Sequence, residues 1–203
     1  NEAGLAAFVA PGVRNDGVIL AKLGQVEMAS GTGFSLDLYG DQLIELAVDP
    51  QTVQAYTVDG EPLQSFVENS GSIEAETIVM TANAARDVVD SVINMSGEVH
   101  ASTASQSGGT IILGGDPSHG DISVSGTLDV SSDNDAGRIK IDGDQIVQTG
   151  QLIANSSSGN GGSIDIKAES GYFQGANITV NGKLEGGSIK IDAGSVSLAG
   201  NIN

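Results

Sequence analysis

The stretch "GGSIDIKAES" (161–170) returns 25 residues later as "GGSIKIDAGS" (186–195). Inside each copy the period is two. Ile164, Ile166 and Ala168 point one way, while Ser163, Asp165 and Lys167 point the other, as in an extended strand. The same opening, a glycine followed by apolar residues at alternate positions, begins at Gly109 ("GTIIL"), Gly137 ("GRIKI"), Gly162 and Gly187, at spacings of 28, 25 and 25. A second motif, apolar-x-x-x-Gly-x-apolar, centres on Gly97 ("INMSGEV"), Gly126 ("ISVSGTL"), Gly150 ("IVQTGQL"), Gly182 ("ITVNGKL") and Gly200 ("VSLAGNI"). Its spacings are 29, 24, 32 and 18, and the last two together make two periods of 25. A loop of variable length is therefore expected before Gly182.

Short strands at this period leave too little chain for crossover helices. They predict a coil that climbs one strand spacing per turn, an all-β, right-handed parallel β-helix (β-solenoid) of about 25 residues per turn. Stacking would place Ile111, Ile139, Ile164 and Ile189 in one internal column, and Leu113, Ile141, Ile166 and Ile191 in another. At about 4.8 Å per turn, eight or so turns make a rod on the order of 40 Å long. The outward positions supply an independent check. In stacked register they read Lys140, Asp165, Lys190 and, two residues on, Asp142, Lys167, Asp192, so each charge meets the opposite sign above and below.

Composition limits the partners. The chain of 203 residues carries 26 acidic against 8 basic residues, a formal net charge of −18. Phosphate recognition needs clustered Lys and Arg, so nucleic acid and anionic membrane are excluded as partners. Only 3% of residues are aromatic and none is Trp, so the core must be built from Ile, Val, Leu and Ala. The absence of cysteine excludes disulfides and thiolate metal sites. No run of 18 apolar residues reads as a membrane span, and "NEAGLAAFVAPG" lacks the basic flank of a signal peptide.

The N-terminal half, 1–95, is less regular than the repeats of 96–203, but no linker divides the two, and 1–203 reads as one elongated unit. "GVILAKLGQVEMASG" (17–31), "GFSLDLYGDQLIELAV" (33–48) and "GSIEAETIVMTA" (71–82) read as strands with glycine corners. The segment 48–67 reads as a small hairpin or loop decorating the coil, and "ANAARDVVDSV" (82–92) as the one short helix.

"FVAPGVRNDGVILAKLGQVEMASGTGFSLDLYGDQLIELAV" (8–48) resembles a block of the filamentous-haemagglutinin family of bacterial exoproteins. The similarity continues through "NSGSIEAETIVMTANAARDVVDSVINMSGEVHAS" (69–102), "GGTIILGG" (108–115) and "VSGTLDVSS" (124–132), with the blocks in the family's order. The resemblance implies a secreted or cell-surface adhesin, exported by two-partner secretion through an outer-membrane transporter and folded as a right-handed parallel β-helix. The quoted blocks do not include the family's secretion module or a tip domain. The chain is therefore expected to be a stretch of shaft within a longer polypeptide, and its open ends to be adhesive strand edges.

Candidate sites are few, and no catalytic residue is assigned. A glycosidase needs two carboxylates at defined separation in a cleft, and a lyase needs basic residues facing an acidic sugar. The acidic residues here are scattered, and Lys140, Lys167 and Lys190 already belong to the charge rows. His100 and His119, the only histidines, read as surface residues without partners. The Asp-rich stretches "SSDNDAG" (131–137) and "IDGDQ" (141–145) read as loops that offer Asp133, Asp135, Asp142 and Asp144 as oxygen ligands for a structural Ca²⁺. They match neither the EF-hand nor the nonapeptide calcium repeat, and Asp is also an ordinary corner residue. No other cofactor is implied. Sequons at Asn94, Asn155 and Asn177 are expected by chance in so Ser/Thr/Asn-rich a chain. The reading is a structural shaft that presents surfaces to glycans or proteins of other cells, with lateral or end-to-end self-association into fibres. The alternative is a carbohydrate-active or carbohydrate-binding β-helix protein.

Overall fold

The computed structural model describes residues 4–30, 33–36, 44–47, 57–58, 61–62, 65–82, 91–103, 106–115 and 120–203. Among them every regular element is a strand, and 16 of the strands join in one sheet whose pairings are all parallel. The sheet curls, as a β-helix or solenoid requires.

Register divides its strands into three stacks. The first contains 5–10, 25–30, 77–82, 110–115, 138–143, 163–168 and 188–193, each paired to the next. The second contains 13–15, 67–69, 93–95, 122–124, 146–148, 172–174 and 196–198. The third contains 18–21, 72–75, 98–101, 127–129, 151–153 and 178–179, and ends at the bridge between Ile178 and Ile202. The chain visits them in the same order each time. Long strands such as Arg138–Gln148 and Ser163–Gln174 carry it round the corner from the first stack to the second without a break.

The core follows from the alternation. Ile111, Ile139 and Ile164 lie in one column and Leu113, Ile141 and Ile166 in the next; all are buried. Ile189 and Ile191 end these columns half-buried, since they have a neighbour on one side only. Each fully buried Ile or Leu contributes about 1.5–3 kcal/mol of transfer free energy. The other two stacks add columns through Ile73, Val99, Leu128 and Leu152, and through Ile93, Ile122 and Ile146.

The corner between the second and third stacks explains one glycine motif. Glu98, Thr127 and Gln151 each donate their amide to the carbonyl of Gly71, Gly97 and Gly126 in the neighbouring layer. A Cβ on Gly97, Gly126 or Gly150 would fall on that same oxygen. Here glycine is required by close approach of backbone to backbone. The other motif has the same cause, because a Cβ on Gly137, Gly162 or Gly187 would meet the carbonyl oxygen of Gly109, Gly137 or Gly162.

Four sequence expectations change. Gly182 lies outside the corner column. Leu152 pairs with Ile178, so the residue in register with Gly150 is Ala176, and "ITVNGKL" is not a copy of the motif. The residues "IDGDQ" are not a loop but the middle of strand Arg138–Gln148, where a register shift between Gly143 and Gln145 takes the chain round a corner. Residues 33–36 do not continue the coil but pair antiparallel with 44–47 as a hairpin off the main sheet. Within 48–67, Thr57–Val58 pairs antiparallel with Glu61–Pro62, but Ser65–Asn69 already belongs to the second stack. The helix expected over 82–92 falls on 83–90, outside the described residues. Its flanks, Ala82 and Ser91–Met95, are strand.

Candidate functional site

Three features place chemistry on this frame: charge rows on the outside of the first stack, a carboxylate–imidazole row on the third, and amides inside the second.

The charge rows lie in the register that alternation demands. Lys140 is opposite Asp165 and Asp165 opposite Lys190, while Asp142 is opposite Lys167 and Lys167 opposite Asp192. The closest ion pairs do not run straight up the column. Asp165 meets the Arg138 guanidinium at 2.6 Å, Lys167 meets Glu169 of its own strand at 2.6 Å, and Lys140 approaches Asp142 at 3.9 Å. Glu169 lifts the Lys167 ammonium above the ordinary lysine value, with help from Asp142 and Asp192 on either side. The column is thus an electrostatic field of alternating sign rather than a chain of contact pairs.

On the third stack, Glu74, His100 and Asp129 occupy equivalent outward positions in three successive layers. His100 Nδ1 lies 3.6 Å from Asp129 Oδ2. The Asp129 carboxylate raises the imidazole's pKa above 6.5 against the opposing effect of burial, and Glu74 adds to the rise. Burial pushes the Asp129 carboxyl up, but His100 and the backbone amide of Ser131, 2.8 Å from Oδ1, outweigh it and hold its pKa below 3.8. His100 therefore has the partner that sequence alone did not supply. The signal was the 26-residue offset from Glu74 and the 29-residue offset to Asp129, the same offsets that separate Gly71, Gly97 and Gly126.

The interior of the second stack holds polar side chains that the alternation of apolar residues concealed. Asn69, Gln148 and Gln174 are fully buried. Each turns its amide nitrogen to the carbonyl two residues on: Asn69 to Gly71 at 3.3 Å, Gln148 to Gly150, and Gln174 to Ala176 at 2.9 Å. Asn15 Nδ2 reaches Asn69 Oδ1 at 2.7 Å, and the Tyr172 hydroxyl donates to Gln148 Oε1 at 3.0 Å. Burial drives the Tyr172 phenol far above its ordinary pKa, so it stays a donor. Gln148 and Gln174 thus satisfy the corner carbonyls of Gly150 and Ala176, whereas the Gly71 carbonyl also accepts the Glu98 amide. Under the outside of the first stack, Glu27 is buried with Oε1 unpaired, and its carboxyl is raised by burial against the lowering effect of Gln25.

The calcium candidates do not converge. Asp133 accepts from the Ser157 hydroxyl at 3.0 Å, Asp135 from the Asn160 amide at 2.8 Å, and Asp144 from Ser170. Asp142 faces the charge rows, with Oδ1 unpaired. Among the described residues no three His, Cys, Asp or Glu side chains cluster as a metal site. His119 lies outside them. Two carboxylates, Asp16 and Glu98, line one groove together with Gly17, Ser70, Gly71 and Gly97. They stand two layers apart, roughly 10 Å along the stack. Asp16 is bound to Arg14 at 2.9 Å and to the Ser70 hydroxyl at 2.5 Å, which hold its carboxyl below the usual range.

No family model, no curated protein and no solved structure matches this chain.

Proposed function

We propose that this chain is a stretch of the structural shaft of a secreted or cell-surface bacterial adhesin, wound as a right-handed parallel β-helix of about 25 residues per turn. The observation that carries the reading is the parallel pairing that continues from layer to layer within each of the three stacks, from Leu5 to Ile202. A strand hydrogen-bonded on both sides along its whole length resists bending, and seven layers at about 4.8 Å give a segment of roughly 30 Å. Its role is mechanical: it holds binding surfaces away from the envelope and presents them to glycans or proteins of another cell. Right-handed winding is the default for parallel crossovers, and the offsets of 25 between 138–143, 163–168 and 188–193 support a turn of about that length. The resemblance of the blocks at 8–48, 69–102, 108–115 and 124–132 supports export by two-partner secretion through an outer-membrane transporter.

The carbohydrate-active alternative has one observation in its favour, the groove holding both Asp16 and Glu98. Against it stands the Asp16 carboxyl, which its partners keep ionised and occupied, a poor starting point for a general acid. One experiment separates the readings. The purified chain is applied to a glycan array and to a panel of soluble polysaccharides, with reducing ends and unsaturated products followed over time. Binding without turnover, or attachment of chain-coated beads to cells, is the expected result. Release of sugar that disappears in Asp16→Asn or Glu98→Gln would overturn it.

A further inference from the structure

The outer face of the first stack carries its side chains in two columns. In strand 138–143 the outward pair is Lys140 and Asp142, and in 163–168 it is Asp165 and Lys167. One layer earlier, in 110–115, the same columns hold Ile112 and Gly114. Each layer thus sets opposites two residues apart: a bulky side chain beside bare backbone, a cation beside an anion, an anion beside a cation. The lysines project furthest. Lys140 and Lys167 are 46% and 51% exposed, against 28% and 29% for Asp142 and Asp165. The Lys140 ammonium reaches Asp142 of its own strand only at 3.9 Å, which leaves donors for a second carboxylate. In the layers before 110–115 the outward Glu27 and Val79 of the same column are buried, so the accessible face begins at Ile112.

We propose that this face binds the same face of a second copy, with the two rods side by side and parallel. A two-fold axis along the rod, above the inward column of Leu113, Ile141 and Ile166, exchanges the two outward columns within each layer. Lys140 then faces the partner's Asp142, Asp165 faces the partner's Lys167, and Ile112 sits over the partner's Gly114. The axis repeats each match, as an isologous contact requires. Charge favours this face over the rest of the rod. Residues 138–142 and 163–169 hold three cations and three anions in a chain of net charge −18, so two acidic rods can meet here without like-charge repulsion.

Other arrangements fail on the same residues. A slip by one layer sets Lys140 on the partner's Lys167 and Asp142 on the partner's Asp165. An axis along the strands makes the rods antiparallel. Passed through 138–143, it sets Lys140 on the partner's Lys140; passed between 138–143 and 163–168, it sets Ile112 over the partner's Lys190. Each of these puts like charges, or an apolar side chain and a charge, face to face. The proposal rests on the register of the first stack and not on the adhesive reading.

Sedimentation velocity of the 203-residue chain, over a series reaching about 0.5 mM, tests it. A monomer–dimer equilibrium that stops at twice the chain mass is expected. Lys140→Glu and Asp142→Lys should each raise the dissociation constant about tenfold or more, because each sets two pairs of like charges face to face. An equimolar mixture of the two variants should dimerise as the wild type does. In the mixed dimer the introduced anion meets the introduced cation, and the remaining Asp142 meets the remaining Lys140. Net charge alone predicts otherwise, since Asp142→Lys makes the chain less acidic and would tighten the dimer. Because the chain has no cysteine, a single nitroxide can be attached at Thr110→Cys or at Ser163→Cys. Both positions lie three residues from the axis, so both should report the same distance between copies, about 20 Å at the backbone. A monomer at all concentrations would overturn the proposal, as would mass that grows without limit, a mixture no tighter than its components, or clearly different distances at the two labels. Should a charge variant fail to fold, the nitroxide distances decide alone.

Discussion

Asp165 lies in register between Lys140 and Lys190, one strand spacing from each, yet its carboxylate closes on Arg138 at 2.6 Å. One anion thus serves three cations on the two layers that flank it. Replacing it with Lys would align Lys140, the new Lys at 165 and Lys190 beside Arg138. We expect Asp165→Lys to lose about 1–2 kcal/mol, more than a single exposed pair is worth, because attraction turns to repulsion on both sides. The check is the melting temperature at low and high salt. The deficit should shrink as salt rises, and equal melting temperatures in low salt would refute the field reading.

The glycine corners make a sharper prediction. A Cβ on Gly126 would land on the carbonyl oxygen of Gly97, the acceptor of the Thr127 amide at 3.0 Å, whereas a Cβ on Gly186 meets nothing. Gly126→Ala should cost about 2–4 kcal/mol, since two backbone layers must separate, and Gly186→Ala should stay within about 0.5 kcal/mol of wild type. Chemical denaturation of both variants measures the difference. Similar midpoints would mean the corner yields more easily than backbone sterics allow.

The contrast between these two glycines shows what was legible in the letters. Positions 138–193 announce their partners because 25 residues separate each inward isoleucine from the next, and because Asp165 and Lys167 exchange signs with Lys190 and Asp192. The first layers do not, since the segments 31–64 and 83–90 stretch the offsets and a hairpin built from 33–36 and 44–47 interrupts the coil. Gly182 imitated the corner motif because Asn-Gly between apolar residues is ordinary turn chemistry, while Ala176, the true equivalent, carries no such signature. The His100–Asp129 contact, readable only by carrying the glycine offsets over to His100, and the buried Gln148 escaped the sequence reading for another reason. Each depends on which residue a neighbouring layer places opposite, and that is known only once register is fixed.

His100 gives the stack a pH dependence whose sign can be worked out. Its folded-state pKa is raised, chiefly by Asp129. A raised group contributes stability that is complete below the unfolded value of about 6.5 and is lost as pH rises through the folded value. Asp129 behaves oppositely: its lowered pKa contributes above the unfolded value and is lost as pH falls through the folded one. The pair should therefore be worth most between those limits. Because the imidazole is 43% exposed, solvent screening limits it to about 1 kcal/mol or less. The wild-type melting temperature should fall more between pH 6 and 8 than that of His100→Gln. Parallel curves would show that the contact carries no linkage.

The last prediction concerns the interior. Gln148 donates to the Gly150 carbonyl and accepts from the Tyr172 hydroxyl, which comes from the next layer at 3.0 Å. Tyr172→Phe leaves Gln148 Oε1 buried without a donor, a loss of about 1–3 kcal/mol. Gln148→Leu strands both the Gly150 carbonyl and the phenol, and should cost at least as much. The double variant should cost less than the sum of the two, because the second change removes a group already left unpaired. A double-mutant cycle in urea measures this coupling. Strict additivity would mean that the two residues hold the corner independently and that the amide, not the phenol, fixes the turn.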